Sequence, residues 1–241
     1  MSVVSRVARG LSLVAGGAVF ARSGPAEPVR APPGLGDPWR LPAPSSPTLS
    51  ELFTVHPRDG GWAGFLLAQL DSSKPLLWVQ DRMAILESGR VHPPGLPSRN
   101  LIHVEARDAK DALWTMEEGV RCSCLSAVIG EIWGDPRALD FIATRRLAVA
   151  AERSETPCWL VRLGGTPNLS GARMRWRLAS APSLANDLDP RAPGAAAWDA
   201  ELFRARGHPP GHWTVAHDAD RFHLVAVPGD RALGEGQRLR A

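Results

Sequence analysis

The chain has 241 residues, 44% hydrophobic and 22% charged, which supplies the apolar material for one sizeable core. Its net charge of +3 permits contact with nucleic acid without requiring it. Three cysteines, Cys122, Cys124 and Cys158, make an odd count without framework spacing, which argues against a disulfide scaffold and suits a reducing compartment.

In chain order, Arg6 and Arg9 precede an apolar run from Leu11 to Phe20 that faintly resembles a signal peptide. No small-x-small cleavage site follows, Gly16-Gly17 weakens a helix, and the run is too short to cross a bilayer. A poorly ordered extension or a short docking helix is expected there. Residues 24 to 47 carry eight prolines, which reads as a semi-extended linker. Residues 1–47 are therefore expected to be an extension, 48–227 the folded domain and 228–241 a tail.

The run Leu52 to Leu67 reads as a strand from Phe53 to His56, a turn with Gly60 and Gly61, and an apolar helix over Trp62–Leu70. That is the layout of a phosphate-binding P-loop. A working P-loop places a Lys on the outer phosphate oxygens and a Ser or Thr on magnesium. Trp62 and Ala63 stand about where that pair belongs, so the turn is expected to keep the fold without hydrolysis.

Further strands are expected over Leu76–Asp81, Leu101–Glu105, Leu125–Ile132 and Cys158–Leu163, the last closing the parallel series. Helices are expected from an Asp108 cap to about Arg121, and from Pro136 to Arg153. Met174, Trp176 and Leu178 then alternate with Arg173, Arg175 and Arg177 at a strand period. Leu202–Arg206, Trp213–Ala216 and Phe222–Val227 continue an antiparallel extension. The fold class is α/β, a three-layer domain with a mostly parallel central sheet.

Asn100–Val104, the Ala112-Leu113-Trp114 helix and the strand Ala127–Glu131 resemble, in order and spacing, the RecA ATPase core. Within that superfamily the chain resembles the ImuA family, RecA/SulA-like accessory factors of damage-induced mutagenesis. The carrying motifs are Ala112–Glu117, Arg145–Ala151, Arg175-Trp176-Arg177-Leu178 and Arg204-Ala205-Arg206-Gly207 followed by Gly211-His212-Trp213. The resemblance implies an assembly role in SOS-induced error-prone translesion synthesis. Implied partners are an ImuB-type polymerase-like protein and a DnaE-type error-prone polymerase, with RecA a further candidate and direct DNA binding open. It implies a cytoplasmic protein, nucleoid-associated when engaged in repair, with no membrane partner.

Asp81 falls about where RecA-type enzymes carry the carboxylate that orients attacking water, and Glu131 where the Walker B carboxylate stands. Arg204 and Arg206 fall where RecA has lysines that reach a neighbour's nucleotide. Without the gripping pair, these positions read as relics or reused contacts, and neither a catalytic residue, a metal nor a cofactor is expected, weak nucleotide binding aside. Two rival readings stay open: a SulA-like division inhibitor, and a RecA-type ATPase with an atypical P-loop.

Other features have ordinary explanations. His208, His212, His217 and His223 straddle a Pro-Pro turn and separate strands, a poor basis for a metal site. Trp62, Trp78, Trp114, Trp133, Trp159 and Trp176 recur in or beside apolar runs and are expected in the core. Arg173, Arg175 and Arg177 are expected on one polar strand face, open to solvent, a protein partner or nucleic acid.

Overall fold

The computed structural model describes residues 41–225 apart from 71–72, 97–99, 185, 187, 190 and 219–220. The expected N-terminal extension up to residue 40 and the 228–241 tail lie outside the described residues. Leu41 already packs against the core.

Among the described residues nine strands form one sheet. They are β1 (Leu49–Thr54), β2 (Leu76–Asp81), β3 (Leu101–Ala106), β4 (Ala127–Trp133), β5 (Cys158–Leu163), β6 (Met174–Ala181), β7 (Ala196–Ala205), β8 (Gly211–Asp218) and β9 (Arg221–Val225). The order is β3-β2-β4-β5-β1-β6-β7-β8-β9. The parallel part extends one strand beyond the expected limit, because β6 runs parallel to β1, Ser50 opposite Met174 and Thr54 opposite Leu178. Antiparallel pairing begins between β6 and β7.

Four helices cover the sheet: α1 (Trp62–Leu67), α2 (Arg82–Ser88), α3 (Ala109–Val120) and α4 (Phe141–Ser154). Alternation along each strand separates two cores. Leu52, Trp78, Ile129, Val161, Trp176 and Leu202 pack with α1 and Ala84 of α2. Leu49, Val79, Val128, Leu160 and Cys158 pack with α3 and α4. Gly130 lets α3 lie close to β4, since a Cβ there would meet the Met116 sulfur at 2.1 Å.

The starts of α2, α3 and α4 follow side-chain caps, each carboxylate accepting an N–H of the first turn. Asp108 caps α3 through Asp111 N at 2.9 Å. Asp140, not Pro136, starts α4, accepting from Ala143 N at 2.8 Å, while Leu139 N–H donates to the Pro136 carbonyl in a preceding turn. The α2 helix was not expected; it is seven residues long and follows β2 directly.

Two side-chain expectations change. Cys122 and Cys124, read as reduced, are joined in a disulfide with Cα atoms 5.3 Å apart. They sit in the turn closing α3, where Leu125 N–H donates to the Cys122 carbonyl and folds the two side chains together. Trp114 is 62% exposed on α3, whereas Trp62, Trp78, Trp159 and Trp176 are buried.

The expected polar face of β6 is also corrected. Arg175 is 4% exposed and donates through Nε to Glu51 Oε2 at 2.6 Å, with Glu51 itself fully buried. Arg162 of β5 lies 3.8 Å from the other Glu51 oxygen, pairs with Asp135, and is fully buried. Ser170 adds a hydroxyl to Glu51 at 2.9 Å. Guanidinium groups and rings alternate across the strands: Arg162 and Arg175 lie 5.3 and 5.2 Å from the Phe53 ring. Arg175 and Arg177 lie 5.3 and 5.2 Å from Phe203. Phe203 reaches this row through a register shift, in which Arg175 opposes Arg204 while Trp176 opposes Leu202. Arg177 pairs with Glu201, and Arg173 with Glu152. Arg173, Arg175 and Arg177 are thus all engaged within the chain.

Removing one member of a buried pair strands the other charge, which costs about 3 to 5 kcal/mol, against about 1 kcal/mol or less at an exposed pair. Urea unfolding is therefore expected to show a large loss for Arg175→Ala and a small one for Arg173→Ala. Equal, small losses would show that the Glu51 carboxylate is not sealed from water.

Candidate functional site

The turn between β1 and α1 sits at the carboxyl end of a central parallel strand, where open α/β sheets bind ligands. Its local chemistry is set by Asp59. One carboxylate oxygen accepts from the Gly61 N–H at 2.9 Å and the Ser180 hydroxyl at 2.6 Å. The other accepts from the Ser180 N–H at 2.7 Å. An internal carboxylate thus takes up one backbone donor of the turn, the Gly61 N–H, and ties the turn to the two Ser180 donors of β6. Burial alone would raise the Asp59 pKa, but the Ser180 and Gly61 donors outweigh it and hold it below the usual value.

Gly61 is packed as well as bonded. Its carbonyl accepts from Trp198 Nε1 at 2.7 Å, and a Cβ there would fall 2.2 Å from the Ser180 oxygen. Gly60 faces open space. Trp62, expected about where the gripping Lys belongs, is 5% exposed and turned into the core, its ring 5.5 Å from Trp78. Ala63 is partly buried against the same core. A triphosphate needs free turn N–H groups, a cation and a hydroxyl for magnesium. These residues do not fit it: Asp59 holds the Gly61 N–H and its charge repels phosphate, and Trp62-Ala63 supply neither the cation nor the hydroxyl.

The second half of the expected site is Asp81 and Glu131. Asp81 is an N-cap: it accepts from Ala84 N at 2.6 Å, starting α2, and from Trp133 N at 3.3 Å across to β4. Burial raises its pKa, opposed by the Ala84 and Trp133 hydrogen bonds, with Asp108 adding repulsion. Glu131 is 3% exposed and accepts the indole N–H of Trp78. Burial pushes its pKa up to about 7, against hydrogen bonds from Trp78 and Gln80, and the Asp81 charge adds to the rise. Trp62 therefore connects to Glu131 through Trp78, so an aromatic pair and an indole hydrogen bond link the two halves of the site.

Beside Glu131, Gln80 Oε1 accepts from Val91 N and lies 3.0 Å from His103 Nε2, while Gln80 Nε2 donates to the Gly89 carbonyl. Burial lowers the His103 pKa, with Arg90 adding to that and Glu105 opposing it. Sequence reading missed Asp59, Ser180 and Trp198 as parts of the turn. Asp59 carried a usable signal, an Asx residue two positions before the residue whose N–H it holds. Ser180 and Trp198 come from strands more than 100 residues away, which no local pattern shows. Among the described residues no group of three His, Cys, Asp or Glu side chains could hold a metal ion.

Of the basic candidates, Arg173, Arg175 and Arg177 are internally paired, as described above. Arg204 and Arg206 end and follow β7 with exposed side chains, and neither forms an ion pair among the described residues. No helix of the described residues is long and apolar enough to cross a membrane.

A parallel sheet in this strand order, helices on both faces and a glycine turn after β1 define a RecA-like α/β domain with an antiparallel extension. Protein ImuA of Caulobacter vibrioides strain NA1000 is 31% identical over 180 residues, covering 68% of this chain and 71% of the relative. Protein ImuA of strain CB 15 matches to the same extent. The chain belongs to the ImuA family. No family model matches it.

Glu131 gives the site a pH signature. Its folded pKa near 7 lies above the unfolded value of 4.5, so the folded state binds the extra proton. Stability from this group is complete below about pH 4.5 and is lost as pH rises through 7, by up to roughly 3 kcal/mol. Glu131→Gln, which keeps an acceptor for Trp78, is expected to match wild type near pH 5 and to be more stable at pH 8. Urea unfolding at both values checks this; an equal difference at both would show that ionisation of Glu131 carries no penalty.

Proposed function

We propose that this protein is a non-hydrolysing RecA-like assembly factor in SOS-induced error-prone translesion DNA synthesis, acting through protein–protein contacts. Its proposed partners are an ImuB-type polymerase-like protein and a DnaE-type error-prone polymerase, with RecA a further candidate. The proposed setting is the cytoplasm, at the nucleoid during repair. Membership of the ImuA family supports the process. The observation that carries the mechanism is the turn after β1, where Asp59 holds the Gly61 and Ser180 donors and Trp62 is buried on Trp78.

In this reading the nucleotide-site residues have structural duties. Asp59 and Ser180 tie the turn to β6, so the parallel and antiparallel parts are fastened at the point where a nucleotide hydrolase would move. Asp81 starts α2, and Glu131 anchors Trp78. A scaffold without a nucleotide-driven switch presents one fixed set of surfaces, which suits holding partners in register rather than remodelling them.

Two measurements test the reading. Purified protein is expected to show no ATP turnover above background, with or without single-stranded DNA; turnover abolished by Glu131→Gln would overturn the non-hydrolysing part. Co-expression with the ImuB-type protein of the same organism is expected to yield a complex that survives size-exclusion chromatography. Separate elution of two folded proteins would contradict the assembly role.

A further inference from the structure

With Arg173, Arg175 and Arg177 paired within the chain, the basic side chains without an ion pair lie elsewhere. A groove of about 670 Å3 runs between the first half of α4, the segment at Leu169–Arg173 and the end of β7. Its charged lining is Arg145, Arg173, Arg204 and Arg206, with no acidic side chain among the lining residues. Arg145, Arg204 and Arg206 make no ion pair among the described residues; Arg206 adds a longer-range attraction to Glu152. A second groove of about 720 Å3 lies on the other side of α4 and shares Phe141, Arg145 and Val149 with the first. In it Glu117 is already paired with Arg121 and Arg146.

Apolar side chains stand exposed along the same face: Ile142 is 65% exposed, Leu169 66% and Phe141 36%. The groove is rigidly built. Gly171 N–H donates to Thr144 Oγ1 at 3.0 Å, and a Cβ on Gly171 would fall 2.6 Å from the Arg145 Cα. Ser170 is fixed to the buried Glu51, and Arg206 N–H donates to the Arg173 carbonyl at 2.8 Å.

We propose that this α4 groove is a docking site for an acidic, amphipathic segment of a partner protein, its apolar side chains on Phe141 and Leu169, with exposed Ile142 beside the groove, and its carboxylates on Arg145, Arg204 and Arg206. The proposal deepens the assembly reading above and rests on it. Charge complementarity selects the occupant. The terminal segments of this chain are unsuited: residues 1–40 hold five arginines against Glu27 and Asp37, and residues 226–241 hold three against Asp230 and Glu235. Nucleic acid is disfavoured by the lining, since single strands are held by stacking on successive aromatic rings and Phe141 is the one ring in this groove. Guanidinium groups over an apolar floor instead match carboxylates flanking an apolar stripe.

The test uses the full chain and a fluorescein-labelled synthetic 18-residue peptide with Leu at helical a/d spacing and Glu at most other positions. Fluorescence anisotropy is expected to show saturable binding that weakens with added salt. Arg145→Glu with Arg204→Glu is expected to weaken it at least about tenfold, as is Leu169→Ser, whereas Arg82→Glu on the opposite face of the sheet leaves it unchanged. Replacing every Leu of the peptide by Ser is expected to cost about as much. Matching thermal melts establish that each variant is folded. The proposal is overturned by no binding to wild type, by undiminished binding to the folded double variant, or by equal binding of the Leu-free peptide. Tighter, groove-dependent binding of an 18-nucleotide oligothymidylate would also overturn it and assign the groove to nucleic acid. Because the probe is not one of the proposed partners, a failed peptide titration beside an intact ImuB-type complex removes the groove and leaves the assembly role standing.

Discussion

The buried carboxylate of Glu51 is the interaction on which much of the architecture turns. It sits in β1, flanked by β5 and β6, and receives Arg175, Arg162 and Ser170 from three later segments. A charge sealed from water is tolerable only where several donors converge on it. That requirement fixes β6 beside β1 and brings the Ser170 segment down onto α4. It also draws Arg162, Phe53, Arg175, Phe203 and Arg177 into one alternating row across four strands. A surface consequence follows. Arginines that alternate along β6 stabilise the junction of the parallel and antiparallel parts, and unpaired arginines are left at α4 and the end of β7.

The turn after β1 shows a related substitution of internal for external chemistry. In a nucleotide hydrolase the donors of this turn wait for a phosphate, and movement follows the ligand. Here Asp59 supplies the negative charge covalently, and Ser180 of β6 and Trp198 of β7 clamp the turn. Trp62 and Trp78 carry the connection to Glu131, replacing a polar path with a packed aromatic one. Burial of Glu131 beside Trp78 raises its pKa toward neutral, so the folded protein favours its protonated form below about pH 7.

Much of the fold was legible because its strands and helices follow local rules. The runs Leu76–Asp81 and Cys158–Leu163 coincide with strands to the residue, and Asp108 announces α3 by its capping position. That Trp62 and Ala63 stand about where Lys and Ser or Thr belong is an expectation from spacing alone. Direction and partnership could not be read. Alternation in β6 reveals two faces but not that the basic face is buried, because the covering residues, Glu51, Phe53, Arg162 and Phe203, come from three other strands. The lone Glu51 and lone Arg162 inside otherwise apolar strands were the available signal for a buried pair. Pro136 misplaced the start of α4 because a helix-compatible residue lay one turn before the true cap, Asp140. Seven-residue α2 was lost for want of a full amphipathic period.

The central claim is that the phosphate turn of this RecA-like domain is filled from within. Isothermal titration calorimetry of the full chain with magnesium ATP tests it most directly. The account expects wild type to give no saturable heat at concentrations up to the order of 1 mM. Saturable binding on the order of 10 μM or tighter, weakened by substitution of Gly61 by Ala, would contradict it by showing the turn open to phosphate.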